Sequence, residues 1–241
     1  MPAGLPSDTG EGSETGGRGK LVVAVDGPSG AGKSTASRGA AIALGLRYLD
    51  TGSMYRALTW WLLDQGVDTS DADVVGGLAA EPVIEVSTDP GATWTRVNGT
   101  DVSAAIRTRE VTGAVSAVAA VPRVRAHLIA QQRDIISGAG GIVAEGRDIG
   151  TVVAPDAPVK VYLTADSDAR AGRRAAETSR PADSTRVEQD RRDGLDATQS
   201  ARADDAVEID STRLDLHQVI DIIVRLARER AGVPHPRRQS R

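Results

Sequence analysis

The chain of 241 residues contains no cysteine and no phenylalanine. Without cysteine there is no disulfide framework, no thiolate nucleophile and no thiolate metal site. Without phenylalanine, and with aromatics at only 2%, the core has to be built mostly from Ala, Val, Leu and Ile. Histidine is scarce too, and His127, His217 and His235 are too scattered for a His-based metal site. No apolar run approaches the roughly 20 residues of a membrane span. The first residues lack the apolar stretch of a secretory signal, so the cytoplasm is the expected location. A net charge of −4 gives no global attraction to nucleic acid or to an anionic membrane. Only Lys20, Lys33 and Lys160 are lysines among 29 basic residues. An isolated arginine match therefore carries little weight, and a well-placed lysine carries more.

What is present is ordered along the chain. Residues 1–19, rich in Gly, Ser, Thr and Pro, read as a disordered tail, and 232–241 as a second loose tail. Between them, 20–231 alternates strands with helices, the pattern of an α/β domain with a parallel sheet. LVVAVD (21–26), YLD (48–50), GIVAE (141–145), VKVYLTA (159–165) and AVEID (206–210) read as strands. Helices are expected from about Ser34 to Leu44, over 53–66, from Pro122 and over 213–230. In the last, Leu216, Val219, Ile222, Ile223 and Leu226 form one apolar face. Residues 81–105 break the alternation. Asp-Pro-Gly and Asn-Gly divide three short extended runs there, which predicts a small antiparallel insert.

GPSGAGKS (27–34) satisfies G-x-x-x-x-G-K-[ST], with a β-branched strand before it and a helix after it. Glycines let backbone N–H groups turn inward around a phosphate, and the new helix points its positive end at it. Lys33 would reach the β and γ oxygens, and the Ser34 hydroxyl would meet Mg²⁺. The expected ligands are ATP and Mg²⁺ on a P-loop NTPase-type core. A GTPase would need a guanine-reading Asn-Lys-x-Asp, and the single asparagine, Asn98, lies in the insert.

A small-molecule kinase needs a second, cationic site and a means of excluding water. YLDTGSMYRA places Tyr55 and Arg56 just after a strand end, where open α/β sheets bind ligands. Arg170, Arg173 and Arg174 cluster on one predicted helix, and 179–202 is polar enough to serve as a lid. AEGRDIGTVV (144–153) sets Arg147 beside Asp148, behind Glu145 and Gly146. That pair is either an ordinary salt bridge or faces a substrate.

Taken together, VDGPSGAGKST, YLDTGSMYRAL, DVSAAIRTREV, VSAVAAVPRVRAHLIAQQR, AEGRDIGTVVAPDAPVKVYLTA, RRDGLD and IDST resemble the bacterial cytidylate kinase family over roughly residues 20–226. The resemblance implies transfer of the ATP γ-phosphate to CMP or dCMP, in pyrimidine nucleotide metabolism. It also implies a nucleoside-monophosphate-binding insert at 81–105, a short lid and a monomer, with no nucleic-acid or membrane partner.

It further implies site roles. Gly27, Pro28, Ser29, Gly30, Ala31, Gly32, Lys33, Ser34 and Thr35 resemble the ATP site. Ser116 and Arg125 resemble the readers of the cytosine edge, with Asp148 a third group near the base. Thr51, Tyr55 and Arg56 fall on the acceptor side, Arg56 and Arg147 resembling clamps on the acceptor phosphate. Arg192 and Asp196 resemble the groups near the sugar. Arg170 and Arg174 resemble cations facing the transferring phosphate. The family pattern departs at Gln199, where an arginine is expected, and Arg202 is the alternative supplier of that contact. A kinase for another small acceptor, such as shikimate, or a non-enzymatic nucleotide-binding regulator would share the loop. The insert and the acceptor-side arginines argue against both.

Overall fold

The structure is a computed structural model that describes residues 20–178, 186, 191, 193–195 and 200–231. Its first strand, β1 (Val22–Asp26), runs straight into the glycine-rich loop and helix α1 (Lys33–Leu44). There follow β2 (Arg47–Asp50), α2 (Thr51–Asp64) and a short α3 (Ala72–Gly77). The insert is β3 (Ile84–Val86), β4 (Thr95–Val97) and β5 (Thr100–Asp101). Then come α4 (Arg109–Ala120), α5 (Pro122–Gly138), β6 (Ile142–Gly146), β7 (Val159–Thr164), α6 (Ser167–Thr178), β8 (Val207–Asp210) and α7 (Leu216–Arg230).

Among the described residues, five parallel strands form one sheet in the order β2-β6-β1-β7-β8. The connections leave β1 on opposite sides, so a crevice opens at its C-terminal end, where such sheets bind ligands. The central strands β1 and β6 are buried on both faces, as their continuous apolar runs require. Ala36, Ala40 and Ala41 of α1 and Val219, Ile223 and Ala227 of α7 cover one face. Leu58 and Leu62 of α2, Val118 of α4 and Leu128 of α5 cover the other. Alanines on α1 allow close helix packing without phenylalanine. At Gly39 an added Cβ would stand 2.3 Å from Ile220.

Two expectations shift. The second helix starts at Thr51, because the Asp50 side chain caps it by accepting from the Ser53 N–H at 3.0 Å. The buried stripe of α7 is Val219, Ile223, Val224 and Ala227, while Leu216 is 41% exposed. Leu216 opens the helix and lies over a cavity beside the loop, so it cannot reach the sheet.

The insert forms the expected three-stranded antiparallel sheet, in the order β3-β4-β5. Asn98, at φ 50°, and Gly99, at φ 78°, supply the two left-handed positions of its tight turn. The expected lid falls largely outside the described residues, and so do Arg192, Asp196, Gln199 and the side chain of Arg174.

Candidate active site

The C-terminal ends of β1, β2 and β6 lie side by side, with Asp26 opposite Gly146 and Asp50 opposite Glu145. The loop leaves β1 at Gly27, whose φ is 146° and whose added Cβ would lie 2.1 Å from the Leu163 carbonyl oxygen. Only glycine lets the chain turn there. Lys33 opens α1 and donates to the Pro28 carbonyl at 2.8 Å, so the ammonium folds back over the loop.

Above the loop, three donors converge on one carboxylate. The Ser29 N–H donates to Asp193 at 3.4 Å, and Arg147 donates to it at 3.5 Å. Arg170 pairs with its other oxygen and also donates to the Ser29 carbonyl at 3.2 Å. These are the donors that a phosphoryl group at this loop would take. Asp193 was not singled out in the sequence, because an acid inside an Arg-Asp-rich stretch reads as solvated.

Beside this cradle lies a cavity of about 160 Å³, lined among others by Lys33, Ser34, Thr51, Tyr55, Arg56, Ser116, Arg125, Glu145, Arg147 and Asp148. Arg125 of α5 pairs with Asp148, which is 7% exposed. The Ser116 Oγ is buried and has no hydrogen-bond partner among the described residues. Burial pushes the Tyr55 phenol up, so that it stays neutral. Arg56 donates to the Ile106 carbonyl at 3.1 Å and to the Thr112 hydroxyl at 3.0 Å, which ties α2 to the far wall. Thr51 donates to the Glu145 carbonyl at 2.7 Å. An added Cβ on Gly146 would sit 2.7 Å from the Thr51 Oγ1, so the end of β6 and the start of α2 leave no room for a side chain at 146.

On the other side of the loop a second cavity, of about 430 Å³, is lined by Gly32, Thr35, Arg173, Ser211, Leu214 and Leu216. Arg173 donates to the Ser211 carbonyl at 2.6 Å and to its hydroxyl at 2.9 Å. Ser211 in turn donates to the Thr164 carbonyl at 2.8 Å. Arg173 was grouped with its neighbours in the sequence. The structure separates it from Arg170 and gives it this wall.

Lys33, Arg56, Arg125, Arg147, Arg170, Thr51, Tyr55, Ser116 and Asp148 are thus gathered at one mouth of the sheet. Arg202 pairs with Glu208 on β8 and does not line the acceptor-side cavity. It gives no support to the idea that it replaces the arginine expected at position 199.

Glu145 is the most unusual group here. It is 3% exposed, accepts from the Tyr48 hydroxyl, and has Ser34 within hydrogen-bond reach. Burial, and then the nearby Asp50, push its carboxyl up to about 7, against an ordinary 4.5. Ser34, Glu145 and Asp50 offer only oxygen donors, the set that a hard divalent cation takes. Among the described residues no all-protein metal cluster exists. Mg²⁺ is commonly held by one or two carboxylates together with substrate phosphates.

The Glu145 shift has a sign. The folded state binds this proton more tightly than the unfolded chain does. The associated stability is complete below about pH 4.5 and is lost as pH rises through about 7, a loss on the order of 3 kcal/mol. Glu145→Gln has no such proton. Its nucleotide-free stability, by urea unfolding between pH 5 and 8, is expected to be flatter than the parent's and higher at pH 8. Parallel pH profiles for the two proteins would contradict this.

With the geometry in place, comparison with known proteins is direct. The family model described as Cytidylate kinase matches residues 23–229. The cytidylate kinase of Streptomyces griseus is 51% identical over 87% of this chain and 93% of its own. Those of Streptomyces avermitilis and Mycobacterium avium are 49% and 47% identical, over 87% and 88% of this chain and 94% and 97% of theirs. The glycine-rich loop, the cavity of Arg125 and Asp148 and the strand ends that carry them all lie inside the matched span, and the chain belongs to the cytidylate kinase family.

Proposed function

We propose that the chain transfers the γ-phosphate of ATP to CMP or dCMP, with the donor phosphates at 27–35 and the acceptor in the cavity of Arg125 and Asp148. The observation that carries this is the convergence of the Ser29 N–H, Arg147 and Arg170 on one anionic group, directly beside a cavity where Arg125 pairs with buried Asp148. Such a pair, with the partnerless Ser116 hydroxyl, suits a base that offers both a donor and acceptors. Cytosine presents an amino donor at N4 and acceptors at N3 and O2. Asp148 accepts from the first, and Arg125 donates to the others. Uracil reverses two of these polarities, and an unpaired buried polar group costs roughly 1–3 kcal/mol.

In the reaction an oxygen of the acceptor phosphate attacks the γ-phosphorus in line, and the bond to the β-bridging oxygen breaks to release ADP. The attacking oxygen is already anionic, so no general base is needed. Lys33 and Arg170 hold the γ-phosphoryl oxygens as charge spreads over them, while Arg56 and Arg147 orient the acceptor phosphate. Mg²⁺, when bound through Ser34 with Glu145 behind it, supplies neutralising charge at the β and γ oxygens. By family resemblance Arg174 would face the transferring phosphate, and Arg192 and Asp196 the acceptor sugar. The chain would act in the cytoplasm, where ATP and nucleoside monophosphates are found.

The test is a coupled ADP-release assay with CMP, dCMP, UMP, AMP and shikimate as acceptors. CMP and dCMP are expected to be used well, UMP poorly, and AMP and shikimate not at all. No rate with CMP above the ATP-only background would overturn the reading.

A further inference from the structure

Asp26 is the last residue of β1, and the glycine-rich loop starts at the next position. It is buried, at 4% exposure, and does not line the acceptor-side cavity. Both of its carboxylate oxygens are committed. One accepts from the Ile149 N–H and the other from the Gly150 N–H, each at 2.8 Å. Those two amides open a single π-helical turn, Ile149–Val153, that directly follows Arg147 and Asp148. Such turns are rare and are frequently found at functional sites. Burial pushes the Asp26 carboxyl up despite the two amide bonds, and nearby Asp148 adds to this. A buried carboxylate beside another acid is an expensive way to cap a turn, unless the turn has to be held at one angle.

That angle decides where the two preceding side chains go. Arg147 reaches Asp193 above the phosphate loop, and Asp148 reaches Arg125 in the base cavity. The adjacent residues therefore serve opposite ends of one cleft, and the turn that splays them is fastened to the strand that carries the donor loop.

We propose that Asp26 is a positioning residue: through the Ile149 and Gly150 amides it locks the acceptor-reading turn to the donor loop, and so sets the discrimination between CMP and UMP. This rests on the reading of Asp148 as facing the acceptor base. Asp26 touches neither substrate. Its effect passes through the orientation of Asp148 and Arg147.

The test uses Asp26→Ala, Asp26→Asn and Gly150→Ala in the full chain. Gly150→Ala disturbs the same contact from its other side, since the added Cβ would stand 3.3 Å from the Asp26 Oδ2 and 3.2 Å from the Lys160 side chain. In Asp26→Ala the ratio of kcat/KM for CMP over UMP is expected to fall roughly tenfold, through KM for CMP, while ATP affinity changes less than about threefold. Asp26→Asn keeps one accepting oxygen and should fall between. Gly150→Ala should move the ratio the same way by about threefold.

A ratio unchanged in all variants that fold, with activity and melting temperature falling together, would show that Asp26 only supports the fold. If both Asp26 variants fail to fold, Gly150→Ala decides alone, and an unchanged ratio there overturns the proposal. Failure of the functional reading looks different, because the unmodified protein would then show no CMP-dependent rate.

Discussion

Lys33→Ala is expected to lower phosphoryl transfer to CMP by roughly a hundred- to a thousandfold, with the fold intact. The ammonium curls over the loop onto the Pro28 carbonyl, at the mouth where Ser29, Arg147 and Arg170 gather around an anion. Negative charge develops on the γ-phosphoryl oxygens as the transition state forms, and a fixed cation there stabilises the transition state more than the ground state. Removing it should therefore lower kcat more than it raises KM for ATP. Lys33 is the first residue of α1, where alanine is well tolerated, so circular dichroism and melting temperature should stay close to the parent's. Lys33→Arg should recover only part of the rate, because a planar guanidinium does not match a compact ammonium in a tight loop. Near-parental turnover in Lys33→Ala, by initial rates at saturating ATP and CMP, would remove the role assigned here.

The second large effect belongs to Asp148. Its carboxylate is buried against Arg125, so Asp148→Ala leaves a partly buried guanidinium without that partner. KM for CMP is expected to rise roughly ten- to a hundredfold, with a stability loss of about 1–3 kcal/mol. ATP binding, proposed at the loop, should change little. Asp148→Asn is the sharper variant. An amide keeps the shape but can donate as well as accept, and a donor there complements the O4 of uracil. The preference for CMP over UMP should shrink from both sides, with poorer use of CMP and better use of UMP. Measuring both acceptors side by side checks this. An equal loss for CMP, UMP and ATP affinity would instead mark Asp148 as part of the scaffold.

Much of the fold around the loop was legible in the residue order. The strand, loop and helix around 27–34 are contiguous, and their geometry follows from local rules of glycine, β-branched runs and helix starts. The antiparallel insert was readable for the same reason, since Asn98 and Gly99 specify a tight turn whatever surrounds them. The acceptor residues were reached only through family resemblance, because no local rule says that Ser116 on α4 and Arg125 on α5 face the same space as Asp148 after β6.

Three features had no sequence signal at all. Asp193 as the anion held by the loop, Arg173 as a wall of the donor-side cavity and Asp26 as an anchor for the 149–150 amides each join residues far apart in the chain. Asp26 and Asp193 lie inside quoted motifs, yet no local rule names their partners.

What the sequence alone determined was the glycine-rich strand–loop–helix, the parallel α/β architecture and the family. These depend on short-range backbone preferences and on apolar periodicity, both written in consecutive residues. What only the tertiary structure decided was the direction of side chains at the sheet's mouth. Arg147 and Asp148 could have paired with each other. They diverge, because a buried carboxylate on the neighbouring strand holds the turn behind them, and that constraint arises only when β1 and β6 lie side by side.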